Sequence, residues 1–210
     1  MRKNWLKQRS EILARYAESL PSEQDRITIT FDYPDYGWMP VHFYKNGQAM
    51  GSFNFSYVYD CFVPLREWLE LIASIEHDKA CAVNLDCEDY HLVLYYDPIW
   101  FFDFDSYKGK IFPPHCGIFS VYDEYKDSFI LDAFCYTMTF VGDIYKCIID
   151  FAKAMKKRPE FIDDWISTSF NHEWGEIDEE DPSMNQLFIK KVRSPKIQEY
   201  LRYMKSWYNR

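Results

Sequence analysis

The chain has 210 residues, of which 48% are hydrophobic, 20% aromatic and 27% charged. This length suffices to bury a core without a disulfide or a metal, and no apolar run approaches the ~18 residues that cross a bilayer. The basic N-terminus lacks the apolar stretch and cleavage site of a secretory signal, so we expect a cytoplasmic protein with no membrane partner. The six cysteines form no CxxC pair, which favours free, buried thiols.

The formal net charge of −9 is distributed unevenly along the chain. Residues 1–15 carry a net +4 and residues 190–210 a net +6, so residues 16–189 carry the remaining −19. Phosphates repel a surface of this sign, which argues against a nucleic-acid partner. Two interpretations stay open: the basic ends dock onto the acidic middle, or part of the acidic surface remains free for a basic partner.

The first predicted element is an amphipathic helix within residues 1–20, whose apolar stripe includes Trp5, Ile12 and Tyr16. Three alternating strands follow between residues 26 and 59. Pro34-Asp35-Tyr36-Gly37 is expected to turn the chain between the first two strands. Asn46-Gly47 is the favoured two-residue hairpin signal, and it separates the second strand from the third. These strands should form a meander.

A change of period marks the middle of the chain. Aromatic residues alternate from Phe53 to Tyr59, and apolar residues then recur every three or four positions from Leu65 to Ile75. A strand is therefore expected to lead into a helix over residues 61–77. Asp60 should accept hydrogen bonds from the first turn of that helix, where Pro64 is tolerated.

The next stretch is predicted to return to strands, at residues 79–86, 90–97, 99–106, 117–122 and 129–140. The last of these is almost continuously apolar, which indicates burial on both faces and a central position in the sheet. Gly142-Asp143 should open a helix that ends before Pro159. Short helical segments are expected at residues 160–167 and 195–208.

Together these elements predict an α+β fold in a single domain, 1–210. The core, residues 26–158, is expected to be a mainly antiparallel twisted sheet of seven or eight strands with two helices against it. Residues 1–20 form the N-terminal amphipathic helix, and residues 159–210 form a helical extension that contains an acidic loop, 171–182.

That acidic loop supplies the candidate binding residues. It has six carboxylates and no Lys or Arg, and its low hydrophobicity is typical of a solvated loop. Its ligand spacing matches a calcium loop poorly. The binding candidates are Glu173, Trp174, Glu176, Asp178, Glu179, Glu180 and Asp181.

An alternative site combines Asp103, Asp105, His115 and Cys116. His115 and Cys116 follow two prolines, but neighbours on an extended chain point in opposite directions, so adjacency does not make a catalytic pair. Asp97, Asp103 and Asp105 are a related possibility, because Asp103 and Asp105 share one strand face and Asp97 lies near its start; these carboxylates could hold a metal or simply face water. No dinucleotide, P-loop, hydrolase or histidine metal motif occurs in the sequence, so we expect neither a cofactor nor a metal.

Three functional hypotheses follow. The first is a non-enzymatic protein-binding module, an inhibitor or immunity-type protein that binds a basic partner through its acidic surface. The second is a small hydrolase-like enzyme whose site uses His115, Asp103 and Asp105. The third is a subunit of a larger complex that docks through the N-terminal helix.

Overall fold

The structure is a computed structural model that describes residues 4–56, 58–74, 79–88, 91–99, 116–158, 161 and 184–208. The fold is α+β, as predicted, and seven strands and five helices lie within these ranges. The helices are α1 (Asn4–Glu18), α2 (Phe62–Ile72), α3 (Thr137–Met155), α4 (Met184–Val192) and α5 (Pro195–Tyr208). The strands are β1 (Ile27–Phe31), β2 (Trp38–Lys45), β3 (Gln48–Ser56), β4 (Cys81–Asp86), β5 (His91–Ile99), β6 (Cys116–Asp123) and β7 (Ser128–Tyr136).

The strands form two antiparallel sheets, whereas the sequence predicts one. The three-stranded sheet has the order β1-β2-β3, which confirms the predicted meander, and the four-stranded sheet has the order β4-β5-β6-β7. The helix α2 lies between β3 and β4 in the chain and packs against β4. Alternation along each strand indicates that a face is buried, but it does not say which strands share hydrogen bonds.

Two predicted boundaries around the four-stranded sheet are wrong. Pro98 does not end a strand, because β5 continues through it and pairs Pro98 with Gly117. The apolar run 129–140 divides into β7 and the start of α3, which begins at Thr137 rather than at Gly142. A buried strand and the buried first turns of a helix have the same apolar composition, so the sequence of this run did not show where the strand ended and the helix began.

The prediction of a central strand at residues 129–140 is also wrong. β7 is the last strand of its sheet, and the inner strand whose eight residues are all buried is β6. The free edge of β7 is covered by the linker before β1. In this linker the backbone N–H of Asp25 donates to the carbonyl of Phe134, and the backbone N–H of Phe134 donates to the Asp25 carboxylate. Coverage of this kind keeps an edge strand from pairing with another chain.

Both faces of the four-stranded sheet are covered by helices. On one face Phe119 contacts Trp68 of α2 and Phe140 of α3, at ring-centroid distances of 6.1 and 4.9 Å. The other face packs beneath α1, the predicted N-terminal helix. This second cluster consists of Ile12, Tyr16, Cys116, Ile118 and Phe134.

The three-stranded sheet buries only one face. Its buried residues join the main core and are Ile27, Ile29, Met39, Val41, Phe43, Phe53 and Phe55. The opposite side, which we call the outer face, carries Thr30, Asp32, His42, Ser52 and Asn54, all of them exposed except the partly covered His42.

Two helix boundaries agree with the sequence signals. The Asp60 carboxylate accepts hydrogen bonds from the N–H groups of Phe62 and Val63, at 2.8 and 3.3 Å, as expected for the start of α2. The last helix coincides with the predicted 195–208, while α4 was not predicted as a separate helix. All six cysteines are free, and five of them are buried.

Candidate functional site

Most of the predicted site residues lie outside the described part of the chain. This holds for the binding candidates Glu173, Trp174, Glu176, Asp178, Glu179, Glu180 and Asp181, and for Asp103, Asp105 and His115. Cys116 is described, as the first residue of β6, and it is buried in the cluster under α1. Burial raises the pKa of its thiol to about 11, so the thiolate that a nucleophile requires is scarce at neutral pH.

The described residues carry no net charge. They include 19 Lys and Arg and 19 Asp and Glu. Within them, residues 16–158 carry −7, which the described parts of the two basic ends balance with +7.

Ion pairs join the terminal helices to the acidic middle of the chain. Arg15 of α1 pairs with Asp132 of β7 at 2.6 Å, and Lys196 of α5 lies 3.6 Å from Glu70 of α2. These contacts agree with the interpretation that the basic ends dock onto the acidic middle of the chain.

The most enclosed of these pairs joins Arg9 of α1 to Asp97 of β5. The Arg9 guanidinium donates to both carboxylate oxygens, with 3.3 Å between Nε and Oδ2. The two side chains are only 20% and 11% exposed. Burial raises the pKa of Asp97, and the hydrogen bond from Arg9 opposes that rise. The pair fixes α1 to the sheet, and it neutralises the Asp97 carboxylate, which is therefore not available to a basic partner.

Negative charge is most concentrated in one stretch of the sequence. Residues 160–181 contain nine Asp and Glu and no Lys or Arg. This stretch leaves the described fold at Phe161 and returns to it through α4, where Phe188 packs against Phe161 with ring centroids 5.4 Å apart. Phe151 of α3 contacts both of these rings. One aromatic cluster therefore holds both ends of the acidic stretch.

A second arrangement lies on the outer face, where three polar side chains form a hydrogen-bonded chain. His42 Nδ1 is 2.7 Å from Ser52 Oγ, and His42 Nε2 is 3.0 Å from Asp32 Oδ2. If Nε2 carries the proton, the imidazole donates it to Asp32 and can accept one from Ser52. Hydroxyl, imidazole and carboxylate in this order are the groups of a nucleophilic serine site.

The surroundings of this chain are open to water. The Asp32 side chain is 57% exposed and that of His42 26%, and Ser52 is exposed. Charge stabilisation of a reacting group is strongest where water is excluded, and this position on a sheet face provides little enclosure. The arrangement supplies the reacting groups of a hydrolase without the enclosed setting.

A β-bulge explains why this hydrogen-bonded chain was not predicted from the sequence. A regular two-residue hairpin at Asn46-Gly47 would pair His42 with Gly51, but the register shifts between Phe43 and Tyr44 and places His42 opposite Ser52. A signal for the shift was present: only the bulged register pairs the buried Val41 with Phe53 and Met39 with Phe55. Matching the apolar positions across the hairpin would have predicted it.

Metal-binding and membrane-spanning features are absent from the described ranges. Within the described ranges, no three His, Cys, Asp or Glu side chains come together as a metal site would require. Among the helices described, none combines the length and the apolar character needed to span a membrane. Comparison of the chain with protein-family models, with curated proteins and with solved structures finds no match.

Proposed function

We propose that this protein is a non-enzymatic binding protein, of the inhibitor or immunity type, for a basic protein partner. The observation that carries the proposal is the distribution of charge along the chain: residues 160–181 hold nine acids without a single Lys or Arg. Unbalanced charge of one sign steers a partner of the opposite sign and raises the rate of encounter. The candidate contacts are the carboxylates from Glu173 to Asp181, with Trp174 as an aromatic anchor.

The test begins with affinity capture on the immobilised full-length protein, using lysate of the native cell. Captured proteins are identified by mass spectrometry, purified, and titrated at low and physiological ionic strength. We expect a basic protein whose affinity falls as salt rises, because salt screens exposed charges beyond roughly 8 Å at physiological strength. Recovery of acidic proteins alone, or binding that is insensitive to salt, contradicts the proposal.

A matched pair of variants then locates the binding surface. In the first, six carboxylates of the acidic loop are replaced by amides: Glu173→Gln, Glu176→Gln, Asp178→Asn, Glu179→Gln, Glu180→Gln and Asp181→Asn. The control makes the same change in net charge at six exposed glutamates of the described fold: Glu11, Glu18, Glu23, Glu67, Glu124 and Glu199, each to Gln. We expect the first variant to lose about tenfold or more in affinity and the control to lose much less. Both variants change the net charge by the same amount, so a difference in affinity reports the position of the removed carboxylates. Equal losses would move the binding surface away from the acidic loop.

Hydrolase chemistry is a second candidate function, and the Ser52–His42–Asp32 chain favours it. Ser52 would be the nucleophile, His42 the base that accepts its proton, and Asp32 the group that orients the imidazole. A fluorophosphonate probe tests this directly: a bond forms between Ser52 Oγ and phosphorus, fluoride leaves, and the proton passes to His42. Labelling that disappears in Ser52→Ala and falls in His42→Ala supports the enzyme. Failure of the wild-type protein to react removes it.

Docking into a larger complex through α1 is the third hypothesis, and the fold constrains how it is tested. Ile12 and Tyr16 of α1 are buried against the four-stranded sheet, so only the opposite side of this helix is free to meet another subunit. Deleting the helix would expose the sheet beneath it. Substituting the 52% exposed Leu6 with Gln and measuring complex size by light scattering is the cleaner test.

A further inference from the structure

Two tight turns connect the strands of the three-stranded sheet, and their central residues have similar φ values. Asn46 and Gly47 have φ values of 54° and 80°, and Tyr36 and Gly37 have φ values of 48° and 82°. Asp35 and Trp38 exchange two backbone hydrogen bonds, at 2.8 and 3.0 Å, which closes the second of these turns. Positive φ at both central residues defines the type I′ turn, in which the first position strongly favours Asn, Asp or Gly.

The two turns differ in what they place at that first position. Asn46 suits the conformation, and its side chain also bonds the backbone N–H of Arg26 and the carboxylate of Asp25, each at 2.8 Å. Tyr36 is a bulky residue in the left-handed region, which is an outlier for such a side chain. Its side chain is 94% exposed, so no burial compensates for the strain. The fold gains nothing from a tyrosine where an asparagine would serve.

The surroundings of Tyr36 indicate the charge of what it would contact. Residues 27–44 contain Asp32 and Asp35 and no Lys or Arg, and both carboxylates are exposed. A cation over the face of an aromatic ring is attracted by the ring, and a neighbouring carboxylate adds to that attraction. Asp32 is bonded to His42, so the carboxylate beside Tyr36 in the chain is that of Asp35. An exposed ring next to an exposed carboxylate fits the side chain of an arginine or a lysine.

The turn also adjoins the place where the acidic stretch begins. Arg158 lies over the ring of Tyr33, with its Cζ 4.8 Å from the ring centroid, and its carbonyl accepts the N–H of Phe161 at 3.1 Å. The β1–β2 turn and the start of residues 160–181 therefore share one end of the molecule. A partner attracted by the acidic stretch would meet Tyr36 at that end.

From these observations we infer that Tyr36 is a binding anchor, which receives an arginine or lysine side chain of the basic partner on its ring, beside the carboxylate of Asp35. The inference rests on the proposed function, and it adds a contact within the described fold. Exposed tyrosines and arginines are enriched among the residues that dominate binding energy at interfaces. The strain at Tyr36 is retained for this contact, as strained backbone at other binding sites is.

Stability and binding respond in opposite directions if this is correct. In Tyr36→Asn the turn acquires the sequence Asn-Gly, so we expect a urea midpoint equal to or above that of the wild type. A lower midpoint would show that the ring is structural and would overturn the inference. Tyr36→Phe keeps both the ring and the strain, and it serves as the matched control.

Binding is measured with a fluorescently labelled octa-arginine peptide and the full-length protein, by anisotropy at low ionic strength. We expect Tyr36→Asn to weaken binding by about two- to fivefold, the effect of an exposed cation–π contact. Two controls should bind the peptide as the wild type does. Tyr36→Phe keeps the ring, and Tyr125→Asn removes a different exposed ring. Wild-type affinity in Tyr36→Asn overturns the anchor.

The variant with six amides in the acidic loop separates the two proposals. Loss of peptide binding in that variant together with wild-type affinity in Tyr36→Asn leaves the proposed function intact and refutes the anchor alone. A wild-type protein that does not bind octa-arginine at all refutes both.

Discussion

The two sheets of this protein differ in how many of their faces are covered. The four-stranded sheet lies between α1 on one side and α2 with α3 on the other, and every residue of its inner strand β6 is buried. The three-stranded sheet buries one face and leaves the outer face to water. A sheet with both faces buried contributes its side chains to the core, whereas a sheet with one face buried has a second face available for contacts with other molecules. The polar chain and the exposed tyrosine both belong to the second sheet.

The largest effect on stability is expected when an aromatic ring is removed from the four-stranded sheet. Phe119 is 0% exposed and contacts the rings of Trp68 and Phe140, so Phe119→Ala should lower the free energy of unfolding by about 4 kcal/mol. Asn54→Ala on the outer face should change it by less than ~0.5 kcal/mol. Urea denaturation followed by tryptophan fluorescence measures both. Similar losses in the two variants would contradict the comparison.

A glycine in each sheet gives the next test. A Cβ at Gly117 of β6 would come within 2.6 Å of Tyr96 Cζ and 2.7 Å of the backbone oxygen of Asp97, so Gly117→Ala should cost about 3 kcal/mol. A Cβ at Gly51 of β3 would meet nothing closer than the Phe53 ring at 3.4 Å. Gly51→Ala should therefore stay within about 1 kcal/mol of the wild type. Thermal unfolding by circular dichroism would rank the two, and a larger loss at Gly51 would reverse the assignment.

Breaking the Arg9–Asp97 pair should have a smaller effect that depends on pH. Arg9→Met leaves the buried Asp97 carboxylate unpaired and should cost about 2 kcal/mol at pH 7. Burial already raises the pKa of Asp97, and loss of Arg9 removes the opposing effect. A raised pKa in the folded state means that stability is lost as the pH rises through that pKa. The deficit should thus be smallest near pH 4 and grow towards neutrality.

The control for this pH series is Lys7→Met, which breaks the exposed Lys7–Glu11 pair, whose side chains are 77% and 64% exposed. It should change the free energy of unfolding by less than ~0.5 kcal/mol at every pH. A deficit in Arg9→Met that is constant from pH 4 to pH 7 would show that lost packing, rather than the charge of Asp97, is responsible.

The smallest change is expected on the outer face. His42→Ala removes both hydrogen bonds of the polar chain, yet Asp32 and Ser52 remain accessible to water and can be solvated. We expect a loss below about 0.5 kcal/mol in urea denaturation. A loss of 2 kcal/mol or more would mean that this face is part of the structural core, and the contrast between the sheets would weaken.

Local signals in the sequence predicted the individual elements well. The meander, the cap at Asp60, the last helix and both turns of the three-stranded sheet follow from residue types that act over a few positions. The number of sheets and the place of β7 at an edge depend on contacts between distant segments, such as Asp25 with Phe134. Hydrophobic period alone carries no information about those contacts.

The candidate site was less predictable for a similar reason. The Ser52–His42–Asp32 chain exists only in the bulged register of β2 and β3, and the strain at Tyr36 exists only because the turn is type I′. The pairing of Asp97 with Arg9 and of Asp132 with Arg15 likewise depends on contacts between distant segments, which the sequence does not reveal. The acidic residues from Glu173 to Asp181 remain a prediction.

The aromatic cluster of Phe151, Phe161 and Phe188 separates the framework of the protein from the acidic stretch in its sequence. The rings of Phe161 and Phe188 both pack on Phe151 of α3, so one cluster joins the two points where residues 162–183 leave and re-enter the described fold. Under the proposed function, substitutions between these two points would change the contacts offered to a basic partner, while the three rings kept α3 and α4 together.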